Sequence, residues 1–580
     1  MQNRTTIKVA GESGMGIESA GMIIMKALKQ LGFYIYGERE FPSLIKGGRA
    51  NIQINFSKNK VRSLSDVIDI GLGLDREGVL ECLDTVKEGG ILIHGFERWN
   101  KVIKDLPTRA EARNLKVIQL PAREIALENG GNIVMVNVVL LGFLWQVLGL
   151  DITSLKSQIA LQFAKKPELL QVNYACAEGG YNFKSDILIE PVVQQSVVTQ
   201  LDTAEKLLID GNSSIVLGGV HAGTRAYYAY PMSPSSTVLV YMSKIAKKYG
   251  ILVKQAEDEI TVAQLTLGSM HAGTRAFCAT SGGGLDLMTE TISLSAMVET
   301  PLVIVNAQRP GPATGLPTWT GQADLNMAIY SAHGEFPRVV IACSDPESCF
   351  ENVQHALNYA EKFQIPVILL TEANIAMGYT TVKPFQQNTI AIERGLTTDS
   401  NELESIAQSD RYKITDTGVS KRWLPGSSKS VYFANGDEHW EGGELNEDSD
   451  KAKLMIDKRN AKTAQIVKEL PEPEVFGTEI ADISFVGWGS TKNTILDALD
   501  ILKEHGLSAN YFHYNFVWPL KTEKFVEFFK ANKKIILAEG NLQGQLGSLL
   551  EGQTGLKFHQ KLLKYNGRPF TIEDILEQAK

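Results

Sequence analysis

The segment His221–Pro231, "HAGTRAYYAYP", returns as "HAGTRAFCATS" from His271 to Ser281. Each copy follows a helical pattern, "SSIVLGGVHAG" in one case and "TVAQLTLGSMHAG" in the other. The glycine ends that helix in the left-handed conformation, which a residue without a Cβ adopts at little cost. A short aromatic strand follows and empties into a loop, "YPMSPSST" or "TSGGGLDLM". No third copy appears at the same interval, so the chain is not a solenoid. One helix–turn–strand unit used twice predicts neighbouring strands of a parallel sheet, whose ligands bind beyond the carboxyl ends of the strands. The repeat thus delivers two loops to one functional edge. The hexapeptide itself carries no chemistry in this reading. Arg225 and Arg275 read as surface turn residues, and His221 and His271 as helix-end cations near the dipole.

The same alternation recurs along the chain, and 580 residues exceed what one core can hold. Strand patterns "TIKVAG", "VIDIGLGLD", "GILIHGF" and "KVIQLP" alternate with helices over residues 1–190, predicting an α/β domain with a largely parallel sheet. A second α/β domain is expected over 205–383, with strands "RAYYAYP", "ILVKQAE", "RAFCATS", "PLVIVNAQ", "RVVIACS" and "PVILLTE". From 384 to 475 the pattern dissolves into stretches such as "GDEHWEGGELNEDSDKAK", read as a linking excursion with a solvated helix. A third α/β domain is expected over 476–580.

Several function classes are disfavoured by composition. The net charge of −8 argues against a nucleic-acid partner held by a basic face. The five cysteines, Cys82, Cys176, Cys278, Cys343 and Cys349, have no C-x-x-C spacing, so neither a disulfide framework nor a metal or iron–sulfur site is expected. The apolar run Ile133–Leu150 is as long as a membrane span. It contains Asn137 and Gln146 and sits among alternating strands and helices, which favours a buried helix. The N-terminus enters a strand without an apolar signal segment, so a cytoplasmic protein without a membrane partner is expected.

Three loops at the functional edge carry reactive groups. "YPMSPSST" offers Ser233, Ser235, Ser236 and Thr237, which fit either a ligand site or a helix N-cap. "KQAEDEI" places Glu257, Asp258 and Glu259 at a strand-to-helix junction, where carboxylates also serve the dipole alone. "NAQRPGPATGLPTWTGQ" holds Arg309 at a strand end, with Thr314, Thr318 and Thr320 in a stiff loop. Such an arginine suits bidentate grip of a small carboxylate, and a structural arginine fits equally. In the first domain "VAGESGMGIESAG" brings Gly11, Gly14 and Gly16 to a helix start, which suits a phosphate. Glu38 and Glu40 lie at a ribose-binding distance, which keeps an NAD-type reading open; Lys46 and Arg49 offer further phosphate contacts.

The long motifs together, "YPMSPSST", "QAEDEITVAQLTLGSMHAG", "TSGGGLDLMTETISLSAMVETPLVIVNAQRPGPATGLPT" and "HGEFPRVVIA", resemble the alpha subunit of the 2-oxoacid:ferredoxin oxidoreductases. The form resembled is the 2-oxoglutarate type, with the gamma domain fused at the N-terminus. "GESGMGIESAG…EFPSLIKGGRA" is similar to that gamma domain, and "GWGST…FVWPL…AEGNLQGQL" to its last domain. The resemblance implies an α/β protein of three domains: gamma-type at 1–190, thiamin-diphosphate pyrimidine-binding and transketolase-like at 205–383, and transketolase C-terminal-like at 476–580. It also implies oxidative decarboxylation of a 2-oxoacid to acyl-CoA and carbon dioxide, with electrons passed to ferredoxin. Thiamin diphosphate would be shared with a beta subunit that brings Mg²⁺ and a 4Fe-4S cluster, in an (alpha-beta)2 heteromer. No metal is expected in this chain, which also lacks a G-D-G motif.

Residue roles carry over by position. Glu259, with Glu257 as fallback, matches the glutamate that hydrogen-bonds the pyrimidine N1′ and favours the tautomer able to deprotonate the thiazolium C2. Arg309 matches the grip on the substrate carboxylate, and Thr318 a neighbouring substrate contact. Ser233 stands where the family's Y-P-I-T-P loop has threonine, Met232 replaces the isoleucine, and Gly283 stands where proline is common. Gly11, Gly14, Gly16, Lys46 and Arg49 fall where coenzyme A would bind. Two other classes stay open on the residues alone: a nucleotide-dependent oxidoreductase using the glycine loop, and a non-catalytic scaffold subunit.

Overall fold

The computed structural model describes residues 4–44, 47–97, 103–399 and 401–579. Strands β1 (Arg4–Glu12), β2 (Tyr34–Glu40), β3 (Arg49–Ser57), β4 (Ile68–Gly73), β5 (Val86–His94) and β6 (Lys116–Gln119) come first. The middle of the chain supplies β7 (Leu207–Ile209), β8 (Ala226–Ala229), β9 (Leu252–Gln255), β10 (Ala276–Thr280), β11 (Leu302–Gln308), β12 (Val339–Ala342), β13 (Pro366–Glu372) and β14 (Tyr379–Val382). The remainder supplies β15 (Glu474–Gly477), β16 (Ile483–Trp488), β17 (Ala509–Tyr514), β18 (Phe516–Trp518), β19 (Lys534–Glu539) and β20 (Gln560–Leu563).

These strands form three sheets, each the centre of one α/β unit. The first runs β6-β5-β4-β1-β3-β2-β14-β7. It is parallel from β6 to β1 and antiparallel from β1 to β7, so the expected largely parallel sheet exists only in one half. The reason is local: β2 returns directly into β3, and a direct return without a crossover helix forces antiparallel pairing. β7 and β14 lie within the span expected for the second domain, yet they extend the first sheet. The apolar run became the helix Val136–Leu148, buried on nearly all sides. No single helix among the described residues is long and apolar enough to cross a membrane.

The second sheet runs β18-β12-β13-β11-β10-β8-β9 and is parallel except for β18. Its central strands are buried throughout, as a sheet with both faces covered requires. The twin strands β8 and β10 lie side by side, with Ala226 opposite Ala276 and Tyr228 opposite Cys278. Both expected glycines are left-handed, Gly223 at φ +84° and Gly273 at φ +85°. The two arginines differ. Arg225 is exposed, whereas Arg275 is only 1% exposed and pairs with Glu361 at 2.6 Å, which corrects its reading as a surface residue. Residues 384–475 cause the difference by covering the second copy: Arg275 Nη2 donates to the Glu393 carbonyl (2.7 Å), and Arg394 reaches Glu361 at 3.2 Å. The reading of His271 as a cation is corrected too. Burial, with Arg411 and Arg422 close by, holds its ring below the ordinary imidazole range.

The helix Ser449–Glu469 in that covering segment was expected to be solvated, which holds for only one of its faces. It buries Met455, Lys458, Arg459, Lys462 and Ile466. Lys458 and Lys462 both reach the fully buried Glu299, the latter at 2.6 Å. A carboxylate in that position demands cations, so the charged pattern that suggested solvent marks a buried ion cluster instead. The third sheet runs β15-β17-β16-β19-β20 and closes the C-terminal unit.

Candidate functional site

The carboxyl ends of β8, β10 and β11 meet at one edge of the second sheet. Asp258 caps the helix Glu259–His271 by accepting from the Thr261 amide at 2.8 Å. That cap turns the next residue inward, so Glu259 is 3% exposed, and its Oε1 has no hydrogen-bond partner among the described residues. Glu257, two positions earlier, is exposed and accepts from Thr261 Oγ1 at 3.1 Å. Gly284 makes room for Glu259: a Cβ there would stand 2.7 Å from Glu259 Cγ and collide with Thr280 Oγ1.

Arg309 follows β11 directly. Its Nη1 donates to the Ser233 carbonyl at 2.8 Å, and its Nε is buried without a partner among the described residues. The loop after it folds back on itself through the Leu316 amide, which donates to the Pro310 carbonyl at 2.9 Å. The structure therefore joins Ser233 to Arg309. Thr318 is placed differently, since its Oγ1 donates to the Phe41 carbonyl of the first unit at 2.8 Å.

Sequence reasoning missed Asp324. Its carboxylate accepts from Asn306 Nδ2 at 3.0 Å and presses on Gly282, where a Cβ would stand 2.7 Å from Oδ2. Burial, helped by Asp286, pushes its carboxyl up to about 6, against the pull of Asn306 and Arg309. Gly282 and Gly284 thus admit one carboxylate each. In the sequence, the glycine run was the only signal of this crowding.

Four buried polar atoms without a partner among the described residues gather here: Glu259 Oε1, Ser281 Oγ, Asn306 Oδ1 and Arg309 Nε. Buried polar groups are nearly always paired, so such a cluster at the carboxyl edge of a parallel sheet marks a place where a polar ligand completes the set. The arrangement suits a ring nitrogen facing Glu259 and a carboxylate facing Arg309.

In the first unit, Gly11 lies in β1, while Gly14 and Gly16 are left-handed at φ +98° and +82°. Gly16 precedes the helix Ile17–Leu31, and a Cβ on Gly14 would meet nothing within 4 Å, so the loop is open to a ligand. Arg49 is exposed and pairs with Glu77 at 3.0 Å. Lys46 lies outside the described residues. The ribose reading of Glu38 and Glu40 is corrected. β3 separates their strand from β1, Glu38 accepts from Tyr36 Oη at 3.0 Å, and Glu40 accepts from Asn51 Nδ2 at 2.9 Å. A dinucleotide fold needs its acidic residue on the strand beside the glycine loop.

Comparison with known proteins gives the family. Residues 218–439 match the family described as pyruvate flavodoxin/ferredoxin oxidoreductase, thiamine diphosphate-binding. Residues 6–183 match pyruvate ferredoxin/flavodoxin oxidoreductase. The alpha subunit of a 2-oxoacid:ferredoxin oxidoreductase from Sulfolobus sp is 31% identical, over 98% of this chain and 95% of its own. The chain belongs to the 2-oxoacid:ferredoxin oxidoreductase alpha subunits. The KorA subunit of 2-oxoglutarate oxidoreductase from Mycobacterium tuberculosis is 26% identical over 98% of this chain and 90% of its own. The 2-oxoglutarate:ferredoxin oxidoreductase from Magnetococcus marinus, solved with 2-oxoglutarate, coenzyme A and succinyl-CoA bound, is 30% identical. It superposes with a TM-score of 0.90, covering 100% of this chain and 99% of its own. As an alpha subunit of this kind, the protein joins a gamma-like domain to a thiamin-diphosphate-binding domain and is part of an oxidoreductase.

Proposed function

We propose that this alpha subunit, assembled with a beta-type subunit, oxidatively decarboxylates a 2-oxoacid, with 2-oxoglutarate as the foremost substrate. The acid's C1–C2 bond breaks to release carbon dioxide, and the acyl group forms a thioester with coenzyme A. The thiol proton is released, and two electrons leave singly to ferredoxin. The cluster of four unpartnered polar atoms at Glu259, Ser281, Asn306 and Arg309 carries this reading. The 2-oxoglutarate and coenzyme A bound in the Magnetococcus marinus enzyme support the choice of substrates.

Thiamin diphosphate, when bound, supplies the electron sink for decarboxylation. Glu259 would hold its aminopyrimidine ring by a hydrogen bond between Oε1 and N1′. The low exposure of that carboxylate excludes water competing for the contact. Arg309 would grip the carboxylate next to the keto carbon, with Nη1 anchored on the Ser233 carbonyl and Nε directed to the ligand. The Ser233 hydroxyl and Thr318 would line the substrate. Gly11, Gly14, Gly16, Lys46 and Arg49 would hold phosphates of coenzyme A at the start of the helix Ile17–Leu31. Mg²⁺ and a 4Fe-4S cluster are assigned to the beta-type subunit, in an (alpha-beta)2 heteromer. The separation of Glu38 and Glu40 from the glycine loop weighs against the NAD-type alternative, and the unpartnered polar cluster weighs against a mere scaffold.

The test is reduction of methyl viologen with 2-oxoglutarate, coenzyme A, thiamin diphosphate and Mg²⁺. Activity is expected only after the beta-type subunit is added. Reduction by this chain alone overturns the division of labour. An assembled pair inert toward 2-oxoglutarate, pyruvate and 2-oxobutyrate alike overturns the reaction.

A further inference from the structure

The loop after β11 is not held by a core of its own. Residues 311–316 are all exposed, so beyond its own Leu316–Pro310 hydrogen bond the loop is anchored to the rest of the molecule through residues 318–320. Those three consecutive residues draw on all three units. Thr318 Oγ1 donates to the Phe41 carbonyl of the first unit at 2.8 Å. Trp319 lies beneath Arg568 of the third unit, whose guanidinium carbon is 3.1 Å from the ring centroid. The Thr320 amide donates to the Gly567 carbonyl at 3.3 Å, and its Oγ1 reaches Glu372 and Asn374 of the second unit at 3.0 Å each. Arg568 also faces Glu40, the residue before Phe41, with Nε 3.6 Å from Oε1. Gly567, at φ +80°, allows this approach, since a Cβ there would stand 2.9 Å from Leu316 Cδ1.

We infer that Arg568 is a positioning residue for the 2-oxoacid site, holding the Thr318 turn in place by stacking on Trp319 and pairing with Glu40. The inference rests on the proposed substrate role of Thr318. A guanidinium presents a flat face to the indole and a fork to the carboxylate at once, which an ammonium cannot do. The Arg568 side chain keeps 42% of its surface exposed, so the contact adds little to global stability. Its loss should therefore show in substrate binding rather than in folding. Displacement of a positioning group by an ångström is enough to cost a site up to ~10²-fold.

The experiment compares Arg568→Ala, Arg568→Lys and Thr318→Val in the enzyme assembled with its partner subunit. KM and kcat are measured separately for 2-oxoglutarate and for coenzyme A, together with Tm. Arg568→Ala should raise the KM for 2-oxoglutarate by about 10-fold or more, within that ceiling. The KM for coenzyme A and the Tm should stay at wild-type values, and Arg568→Lys should recover part of the loss. If Thr318→Val raises the 2-oxoglutarate KM and Arg568→Ala does not, this inference falls and the substrate reading stands. If Thr318→Val has no effect, the substrate role of Thr318 falls, and the inference with it. A matching rise in both KM values, or a drop in Tm that accounts for the lost activity, makes Arg568 structural and also overturns the inference.

Discussion

Arg309 Nη1 donates to the main-chain oxygen of Ser233 at 2.8 Å, across the gap between the loops that follow β8 and β11. One edge of the guanidinium thereby fixes the neighbouring loop, and the buried Nε remains for a ligand. Arg309→Ala should then depress kcat/KM for 2-oxoglutarate, pyruvate and 2-oxobutyrate to a similar degree, because all three share the carboxylate beside the keto carbon. Truncating one partner of a buried charged pair costs about 2–5 kcal/mol, roughly 30-fold to several thousand-fold. Arg309→Lys should regain only part of it. A loss confined to one of the three acids would place Arg309 at the variable end of the substrate.

The inward turn of Glu259 and the outward turn of Glu257 predict opposite outcomes for the same change. Glu259→Gln should lower turnover of the assembled enzyme by ~10²–10⁴-fold with the fold intact. Glu257→Gln should be mild. The glycines beside it give an independent check. Gly284→Ala would drive a methyl group into Thr280 and Glu259 and should impair turnover, whereas Gly283→Ala meets nothing within 4 Å and should be silent. Equal effects from both alanines would mean that the Glu259 carboxylate is not the group that matters.

Arg275 and Arg225 occupy the same place in the repeated hexapeptide and should differ sharply on substitution. Arg275→Met leaves Glu361 buried with weaker partners, and removing one member of a buried pair costs about 3–5 kcal/mol. Arg225→Met changes an exposed side chain and should stay within about 0.5 kcal/mol. Thermal unfolding of the two variants side by side decides this: a Tm several degrees lower is expected for the first alone, and indistinguishable melting would refute the assignment.

Burial, with Glu40 and Glu372 nearby, pushes the Glu38 carboxyl up from its ordinary 4.5 to about 8, against the hydrogen bond from Tyr36. Between those values the unfolded chain has lost this proton and the folded chain has kept it, so the native state binds more protons and stability falls as pH rises. Glu38→Gln removes that slope. The Tm of the variant relative to wild type should therefore climb steadily from pH 5 to pH 8. A gap that stays constant over this range would show that Glu38 ionises normally in the folded protein.

The second sheet was legible in the sequence because buried parallel strands such as "PLVIVNAQ" and "PVILLTE" read as unbroken apolar runs. β2, "YIYGERE", was not, since its charged half answers to Asn51 and Arg568 from other elements, and to Tyr36 within the strand, rather than to a local period. The acidic triplet at 257–259 announced a junction, but only the capping geometry of Asp258 decides which neighbour turns inward. Arg275 is indistinguishable from Arg225 by its neighbours, because its partners Glu361 and the Glu393 carbonyl lie 86 and 118 residues downstream. Asp324 had no local signature at all. Its surroundings come from Gly282, at the start of a helix, and from Asn306 on β11.

The outer edge of β2 is taken by β14, with Tyr379 opposite Gly37 and Thr380 opposite Tyr36. Were the N-terminal unit a separate polypeptide, that seam would form at the free concentration of two subunits, and each would carry an uncapped edge open to stray strands. Within one chain the closure is intramolecular, governed by an effective concentration that reaches the millimolar range for short flexible connections. Dilution then cannot part the glycine loop from the loop that carries Arg309, and every molecule carries one of each.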